Sequence, residues 1–171
     1  MKKMKKHIIG ALVLITVFVV FVACFEKSST TTSDNRELKQ ITVSRVVDGD
    51  TFVYAENGTE IRARLIGIDT PESVAPEESG KTNTEEGKIA SEYSRTRIEG
   101  KTCFIEYDVS IYDTYNRELV YLYLEDGTLF QDELLSMGYA QVMTIPPNVK
   151  YSDHFVELER EAVENGIGFW K

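Results

Sequence analysis

An Asn-Gly dipeptide at residues 57 and 58 is the strongest indication of local backbone structure in this sequence. Asparagine and glycine tolerate the positive φ angles that a tight two-residue turn requires. Strand-like segments lie on both sides of the dipeptide, at residues 51–54 and 60–68. The sequence therefore predicts a β-hairpin across residues 51–68.

Further strand-like and helical segments surround this hairpin. Strands are expected around residues 41–46, 51–54, 60–68, 102–109 and 119–124. Helices are expected over about 15 residues ending at Gly100, around residues 129–135 and at about 152–164. In the first of these helices, Ile89, Tyr93 and Thr96 are expected to share one face. This order predicts an α+β fold, a five-stranded, partly open OB-type β-barrel with about three packed helices.

The first 39 residues are of a different kind. Residues 1–23 combine a lysine-rich start with an apolar run, which predicts a signal peptide, and their end before Cys24 resembles a bacterial lipobox. That resemblance implies that Cys24 is lipidated and that residues 24–39 form a flexible polar tether before a domain at residues 40–171. Alternatively, residues 8–25 stay as an uncleaved membrane anchor, because 18 residues just span a bilayer. Both interpretations place the domain outside the cytoplasmic membrane.

The charge of the chain limits how it can bind a polyanion. The 19 basic and 28 acidic residues give a net charge of −9. The four charged residues before position 24 are all lysines, so the remainder carries 15 basic and 28 acidic residues, a net charge of −13. Binding of nucleic acid through broad surface charge is therefore disfavoured, whereas a small cationic site remains open.

The histidine and cysteine content excludes several classes of site. His7 lies in the leader, so His154 is the one histidine of the domain, and no C-x-x-C motif occurs. Cys24 and Cys103 do not make a disulfide framework. Any chemistry must therefore depend on carboxylates, arginines, tyrosines or hydroxyls.

Two aspartates are expected to converge at the hairpin. Asp50 opens the second strand and Asp69 closes the third, and a hairpin brings the start of one strand near the end of the next. Paired carboxylates, with the carbonyl of Thr70 and water, suit a hard cation such as Ca²⁺.

Two arginines and a glutamate complete the candidate catalytic set. Arg64 lies in an otherwise apolar strand, where a guanidinium is costly unless an anion such as phosphate meets it, and Arg117 lies on a predicted turn. Both could neutralise charge on a phosphodiester under attack, while Glu72 could orient or deprotonate water. The set predicts a phosphodiester hydrolase that needs no histidine.

Each of these residues also has a purely structural interpretation. The Asp48-Gly49-Asp50 segment could be only a turn, Arg64 could pair with a carboxylate, Arg117 could be solvated and Glu72 could begin a turn. Two alternative functions also remain open. One is a non-catalytic OB-type module that binds nucleic acid or oligosaccharide, and the other is a fold that serves as an interaction surface.

Three segments together resemble the thermonuclease, or staphylococcal nuclease-like, family. They are D-G-D-T at residues 48–51, R-L-x-x-I-D-T-P-E at residues 64–72 and D-x-Y-x-R at residues 113–117, in family order. The resemblance covers residues 40–171 and implies a secreted, Ca²⁺-dependent endonuclease on an OB-type barrel. It implies hydrolysis of both DNA and RNA that leaves 3′-phosphates.

The resemblance also implies a role for each matching residue. Asp50 and Asp69 match the carboxylate ligands of calcium, and Thr70 matches the carbonyl ligand. Arg64 and Arg117 match the phosphate-binding arginines, Glu72 matches the carboxylate that acts on water, and Tyr115 matches a tyrosine that contacts a terminal phosphate.

The chain departs from the family pattern beside the proposed site. Thr114 replaces a lysine of the third segment, and Thr144 and Pro146 lie near the places of two tyrosines of the base pocket. The loop after Glu72 is acidic, so substrate binding is expected to be weak and salt-sensitive. Nothing in the sequence indicates oligomerisation, and we expect a monomer.

Overall fold

The computed structural model describes residues 37–73 and 83–171. All of these residues belong to one compact unit, Arg36–Lys171. The predicted signal peptide, the lipidation of Cys24 and most of the tether lie outside the described residues and stay predictions, as does the domain boundary at residue 40. Within the described part, no helix is long and apolar enough to cross a membrane.

The described residues form seven strands, three α-helices and a short 3₁₀ helix. The strands are β1 (Lys39–Asp48), β2 (Thr51–Glu56), β3 (Thr59–Leu65), β4 (Gly67–Asp69), β5 (Thr102–Glu106), β6 (Glu118–Tyr123) and β7 (Gln141–Met143). The helices are α1 (Glu85–Ile98), α2 (Phe130–Ser136) and α3 (Ser152–Glu164), followed by the 3₁₀ helix Gly168–Trp170.

Five strands close into a barrel in the order β1-β2-β3-β6-β5. All neighbours in the barrel are antiparallel except β3 and β6, which are parallel, and β5 pairs back with β1. This confirms the predicted α+β, five-stranded OB-type architecture with three helices, although the barrel is closed rather than partly open. Large apolar side chains, among them Phe52, Leu65, Ile105 and Leu122, fill its interior.

The predicted hairpin is present. Asn57 and Gly58 have φ angles of 50° and 79°, and Thr59 pairs with Glu56 across the turn. The prediction of one continuous strand at residues 60–68 was wrong, because β3 ends at Leu65 and residues Gly67–Asp69 form the separate strand β4, which pairs with β7. Gly67 allows this break, since its φ is +82° and a Cβ atom there would lie 2.7 Å from the Phe155 ring.

The buried face of α1 also differs from the expectation. Ile89 is 49% exposed, whereas Gly87, Ala90, Ser91 and Ser94 are buried. Small residues are needed on this face because the helix approaches the backbone of the neighbouring loops closely. The Ser94 hydroxyl, for example, donates to the carbonyl of Gly49 at 2.6 Å.

Candidate active site

Asp50 lies at the centre of a cluster where β2, β3 and β4 meet. It directly precedes β2, is 2% exposed, and both of its carboxylate oxygens accept hydrogen bonds. Oδ1 accepts from Arg64 Nη1 at 2.5 Å and from the hydroxyl of Thr51 at 3.0 Å. Oδ2 accepts from the backbone N–H of Thr70 at 2.9 Å and from its hydroxyl at 3.1 Å. These bonds connect the start of β2 to the end of β4.

Arg64 connects the two aspartates that the hairpin was expected to bring together. Its Nη2 donates to Asp69 Oδ1 at 2.6 Å and to the carbonyl of Ile68 at 3.2 Å, while Nη1 contacts Asp50. Although burial alone would lower the pKa of Arg64, the carboxylates of Asp50 and Asp69 raise it above its ordinary value. Asp50 and Asp69 therefore converge, and the guanidinium neutralises part of their charge.

The close packing of this cluster depends on a glycine. Gly49 lies against Thr70, and a Cβ atom at residue 49 would lie 2.6 Å from the Thr70 hydroxyl oxygen. Any larger residue would separate the turn that carries Asp50 from the segment that carries Thr70. Thr70 itself is 4% exposed.

Asp48 is a further acidic member of the site, beyond the site residues predicted from the sequence. Its Oδ1 accepts from the hydroxyl of Ser73 at 2.6 Å and from the backbone N–H of Gly49 at 2.9 Å. Burial, the charge of Asp50 and a hydrogen bond with Glu72 raise the pKa of Asp48, although the bonds from Ser73 and Gly49 oppose the shift. The only signal for this residue in the sequence was its place in the D-G-D-T segment.

Glu72 lies beside this cluster. Its side chain interacts with Asp48, and its charge contributes to the raised pKa of Arg64. Its carbonyl accepts a hydrogen bond from the backbone N–H of Thr84 at 2.9 Å, just before α1. The beginning of α1 therefore holds the backbone of Glu72.

Arg117 lies on a separate turn between β5 and β6. Its Nε donates to Asp113 Oδ2 at 2.6 Å, and its backbone N–H donates to Asp113 Oδ1 at 2.9 Å. Burial alone would raise the pKa of Asp113, but these bonds from Arg117 outweigh it and lower the pKa. Tyr115 is 80% exposed on the same turn, with its ring centre 5.5 Å from the Arg117 guanidinium.

The strand register relates the two arginines. β3 and β6 are parallel, and Arg64 pairs with Leu119, two residues after Arg117. Arg117 directly precedes β6, and its carbonyl accepts from the backbone N–H of Asp113 at 3.1 Å, which continues the pairing of Tyr112 with Glu118. Paired residues, and residues two apart on a strand, point to the same face of a sheet. Arg64 and Arg117 therefore lie on the same outer face of the barrel, although no direct contact joins the Arg117 turn to Asp50 or Asp69.

The three positions that depart from the family pattern are all exposed. Thr114 lies on the Arg117 turn, and Thr144 and Pro146 follow β7. Asn148, after β7, bonds to Ser110, which precedes the Arg117 turn. Its side chain accepts from the backbone N–H of Ser110 at 2.7 Å and donates to the carbonyl of Ser110 at 2.8 Å.

The donors of this cluster fit a hard cation. Across residues 37–73 and 83–171, no group of three or more carboxylate, histidine or cysteine side chains is arranged to hold a metal ion. Two carboxylates with a nearby carbonyl, completed by water, are however the oxygen ligands that Ca²⁺ prefers. The four acidic residues 48, 50, 69 and 72 also outnumber the single guanidinium of Arg64, which leaves an excess of negative charge. Asp50, Asp69 and the carbonyl of Thr70 are the candidate ligands.

Comparison with known proteins finds a matching family profile and similar nucleases. The profile of the family described as Staphylococcal nuclease homologue matches residues 62–171. A thermonuclease from Staphylococcus intermedius is 34% identical over a region that covers 98% of this chain and 99% of that protein. A thermonuclease from Staphylococcus hyicus is 28% identical over 98% of this chain and 99% of its own length. Endonuclease YncB from Bacillus subtilis is 32% identical over 85% of this chain and 68% of its own length.

Proposed function

This chain belongs to the staphylococcal nuclease homologue family, and we propose that it is a Ca²⁺-dependent endonuclease that cleaves DNA and RNA and leaves 3′-phosphates. A nuclease activity in general is supported by the thermonuclease and endonuclease relatives. The observation that carries the finer proposal is the cluster in which Arg64 contacts both Asp50 and Asp69.

Calcium would be held by Asp50, Asp69 and the carbonyl of Thr70. When bound, the cation would act as a Lewis acid on a phosphate oxygen. Support comes from the all-oxygen donor set and from the excess of carboxylates around Arg64.

The chain's own residues would carry the remaining steps of an in-line displacement. Glu72 would orient an attacking water and accept its proton, because its carboxylate lies at the edge of the cluster beside Asp48. Arg64 and Arg117 would bind the phosphate oxygens from the shared outer face and neutralise the charge that develops on them. Tyr115, 80% exposed on the Arg117 turn, would contact a terminal phosphate of the bound strand.

Substrate binding would be weak and sensitive to salt. The chain has a net charge of −9, and Thr114 provides no cation beside Arg117. Few counterions are released when such a surface binds a polyanion, so affinity depends on a small number of arginine contacts. The exposed Thr144 and Pro146 would alter base contacts, since neither can stack as an aromatic side chain does.

The enzyme would act outside the cytoplasmic membrane as a monomer. The predicted signal peptide supports export, and either a lipid on Cys24 or an uncleaved anchor at residues 8–25 would retain the protein at the membrane. Radiolabelled palmitate should be incorporated into the wild-type protein expressed in its host, and not into Cys24→Ser. Equal absence of label in both proteins would favour the uncleaved anchor.

A cleavage assay tests the proposed activity directly. Plasmid DNA and RNA are incubated with the protein at low salt, with calcium or with a chelator, and the fragment ends are analysed for 3′-phosphate. Glu72→Gln should remove cleavage without removing binding of an oligonucleotide. Glu92→Gln is the matched control, because Glu92 is exposed on α1 and contacts Arg95. A folded protein that binds the oligonucleotide and cleaves neither polymer would instead be an OB-type binding module.

A further inference from the structure

A buried carboxylate outside the candidate active site lies directly after Arg117 in the chain. Glu118, the first residue of β6, is 5% exposed. Its Oε2 accepts hydrogen bonds from the phenol groups of Tyr54 and Tyr107, each at 2.6 Å. Three chain segments therefore meet at a single carboxylate oxygen. They are β2, the residues after β5 and the start of β6.

This carboxylate is inside the barrel. Glu118 pairs with Ala63 in the parallel register of β3 and β6, and Ala63 pairs in turn with Phe52 on β2. Ala63 and Phe52 are both fully buried core residues. Because paired residues point to the same side of a sheet, Glu118 shares the inner face with them.

The hydrogen bonds make this burial stable. Burial and the bond to Glu118 raise the pKa of Tyr54, and the same two causes raise the pKa of Tyr107, so both phenols stay protonated donors. Lys39 donates to the Tyr54 hydroxyl at 3.3 Å and supplies positive charge near the carboxylate. An unpaired buried carboxylate would be costly, whereas Oε2 of Glu118 accepts two hydrogen bonds from phenol groups.

Holding Glu118 inward has a consequence for its neighbour. Arg117 directly precedes β6, and the bond from the backbone N–H of Asp113 to its carbonyl continues the pairing of Tyr112 with Glu118 to this residue. Successive residues of an extended segment point to opposite faces, so the inward side chain of Glu118 directs Arg117 outward, to the face of Arg64. A slip of one residue in the register would turn Arg117 into the barrel. We propose that Glu118, bound by Tyr54 and Tyr107, is a positioning residue that fixes the register of β6 and thereby the placement of Arg117.

The inference rests on the proposed role of Arg117, and a double-mutant cycle separates the two. Glu118→Leu and Arg117→Ala are made singly and together in the full chain, and kcat and KM are measured for a DNA oligonucleotide. If Glu118 acts through Arg117, Glu118→Leu lowers kcat by about 10²-fold alone and has little effect in the Arg117→Ala background. Glu118→Gln should stay within about threefold of wild type, since its amide oxygen can still accept from both phenols.

The same proteins provide the controls for folding. The increase in Tm caused by calcium should be equal in wild type and Glu118→Leu, because the candidate calcium ligands do not contact Glu118. If Glu118→Leu does not fold, Tyr107→Phe replaces it in the cycle, because it removes one donor from a half-buried position. Tyr107→Phe should then lower kcat by a smaller factor, again only when Arg117 is present.

Two results would overturn the inference. Equal losses of kcat in the Arg117 and Arg117→Ala backgrounds would show that Glu118 supports the barrel generally. An unchanged rate in Arg117→Ala would remove the proposed role of Arg117, and the inference with it. Failure of the wild-type protein to cleave would refute the proposed nuclease activity, and with it the role of Glu118 in placing Arg117 for catalysis.

Discussion

Gly87, in the first turn of α1, lies against the backbone of the proposed catalytic carboxylate. A Cβ atom at this position would lie 2.2 Å from the carbonyl oxygen of Glu72 and 2.7 Å from that of Pro71. The backbone N–H of Gly87 also donates to the hydroxyl of Thr84, whose own N–H donates to Glu72. We expect Gly87→Ala to displace Glu72 while leaving the fold intact.

The size of the effect follows from these distances. An ordinary contact of a Cβ atom begins at 3.4 Å, so the Glu72 backbone must move by about 1 Å. A displacement of about 1 Å can lower the rate by about 10²-fold, which corresponds to about 3 kcal/mol in activation free energy. The overpacking costs about 1–3 kcal/mol of unfolding free energy, and the higher helix propensity of alanine offsets up to about 1 kcal/mol of it.

The assay compares kcat at saturating calcium with the Tm of each variant. Lys88→Ala is the matched control, because Lys88 is the next residue of α1, is exposed and contacts Glu85. Gly87→Ala should lose about 10²-fold in kcat and only a few °C in Tm, whereas Lys88→Ala should change neither appreciably. Activity of folded Gly87→Ala within about threefold of wild type would refute the reasoning that α1 positions Glu72.

Three further perturbations have expected outcomes. Arg64→Lys should lower kcat by about 10²-fold in steady-state kinetics while the calcium-induced increase in Tm persists, because a lysine cannot contact two carboxylates as a fork does. Hydrogen bonds from Arg97 lower the pKa of Glu133, so the stability that this ionised group contributes is present above its unfolded pKa and is lost as the pH falls through its native pKa. Urea unfolding should therefore show Glu133→Gln less stable by about 1 kcal/mol at pH 7, with a difference that shrinks below about pH 4. Burial raises the pKa of Cys103 to about 11, so in the Cys24→Ser protein this thiol should resist iodoacetamide at pH 8 until denaturant is added.

The parts of the fold that depend on short-range signals were predictable from the sequence. The Asn57-Gly58 turn sets the hairpin, and the hairpin pairs Thr51 with Arg64, which places Arg64 next to Asp50. Local turn chemistry is sufficient for this because the turn geometry alone determines the register of two adjacent strands.

The parts that depend on distant residues were not predictable. The strand β4 exists because Gly67–Asp69 pairs with Gln141–Met143, more than 70 residues away. A local sequence pattern does not predict a pairing between segments this far apart. The buried face of α1 was wrongly assigned for a related reason. Its small residues pack against the backbone near Gly49 and Glu72. Hydrophobic periodicity is based on large apolar side chains, so it predicts the face of Ile89 as the buried one.

Asp48 and Glu118 show a second limit of sequence reasoning. Both are acidic, and an acidic residue in a turn or at a strand end is usually solvated. Their roles depend on partners far along the chain, Ser73 for Asp48 and Tyr54 for Glu118. The closed barrel brings Tyr54 to Glu118, and the segment after β4 brings Ser73 to Asp48.

The geometry of Arg64 supports a requirement for a cation. The guanidinium contacts Asp50 and Asp69 at 2.5 and 2.6 Å, and in the proposed reaction the same group must bind phosphate. These two roles compete, since a guanidinium that neutralises two carboxylates offers little net charge to an anion. Arg64 can serve the substrate only if another positive charge compensates Asp50 and Asp69. A hard cation at these oxygens would meet that condition, so the proposed calcium dependence follows from the arginine as much as from the ligands.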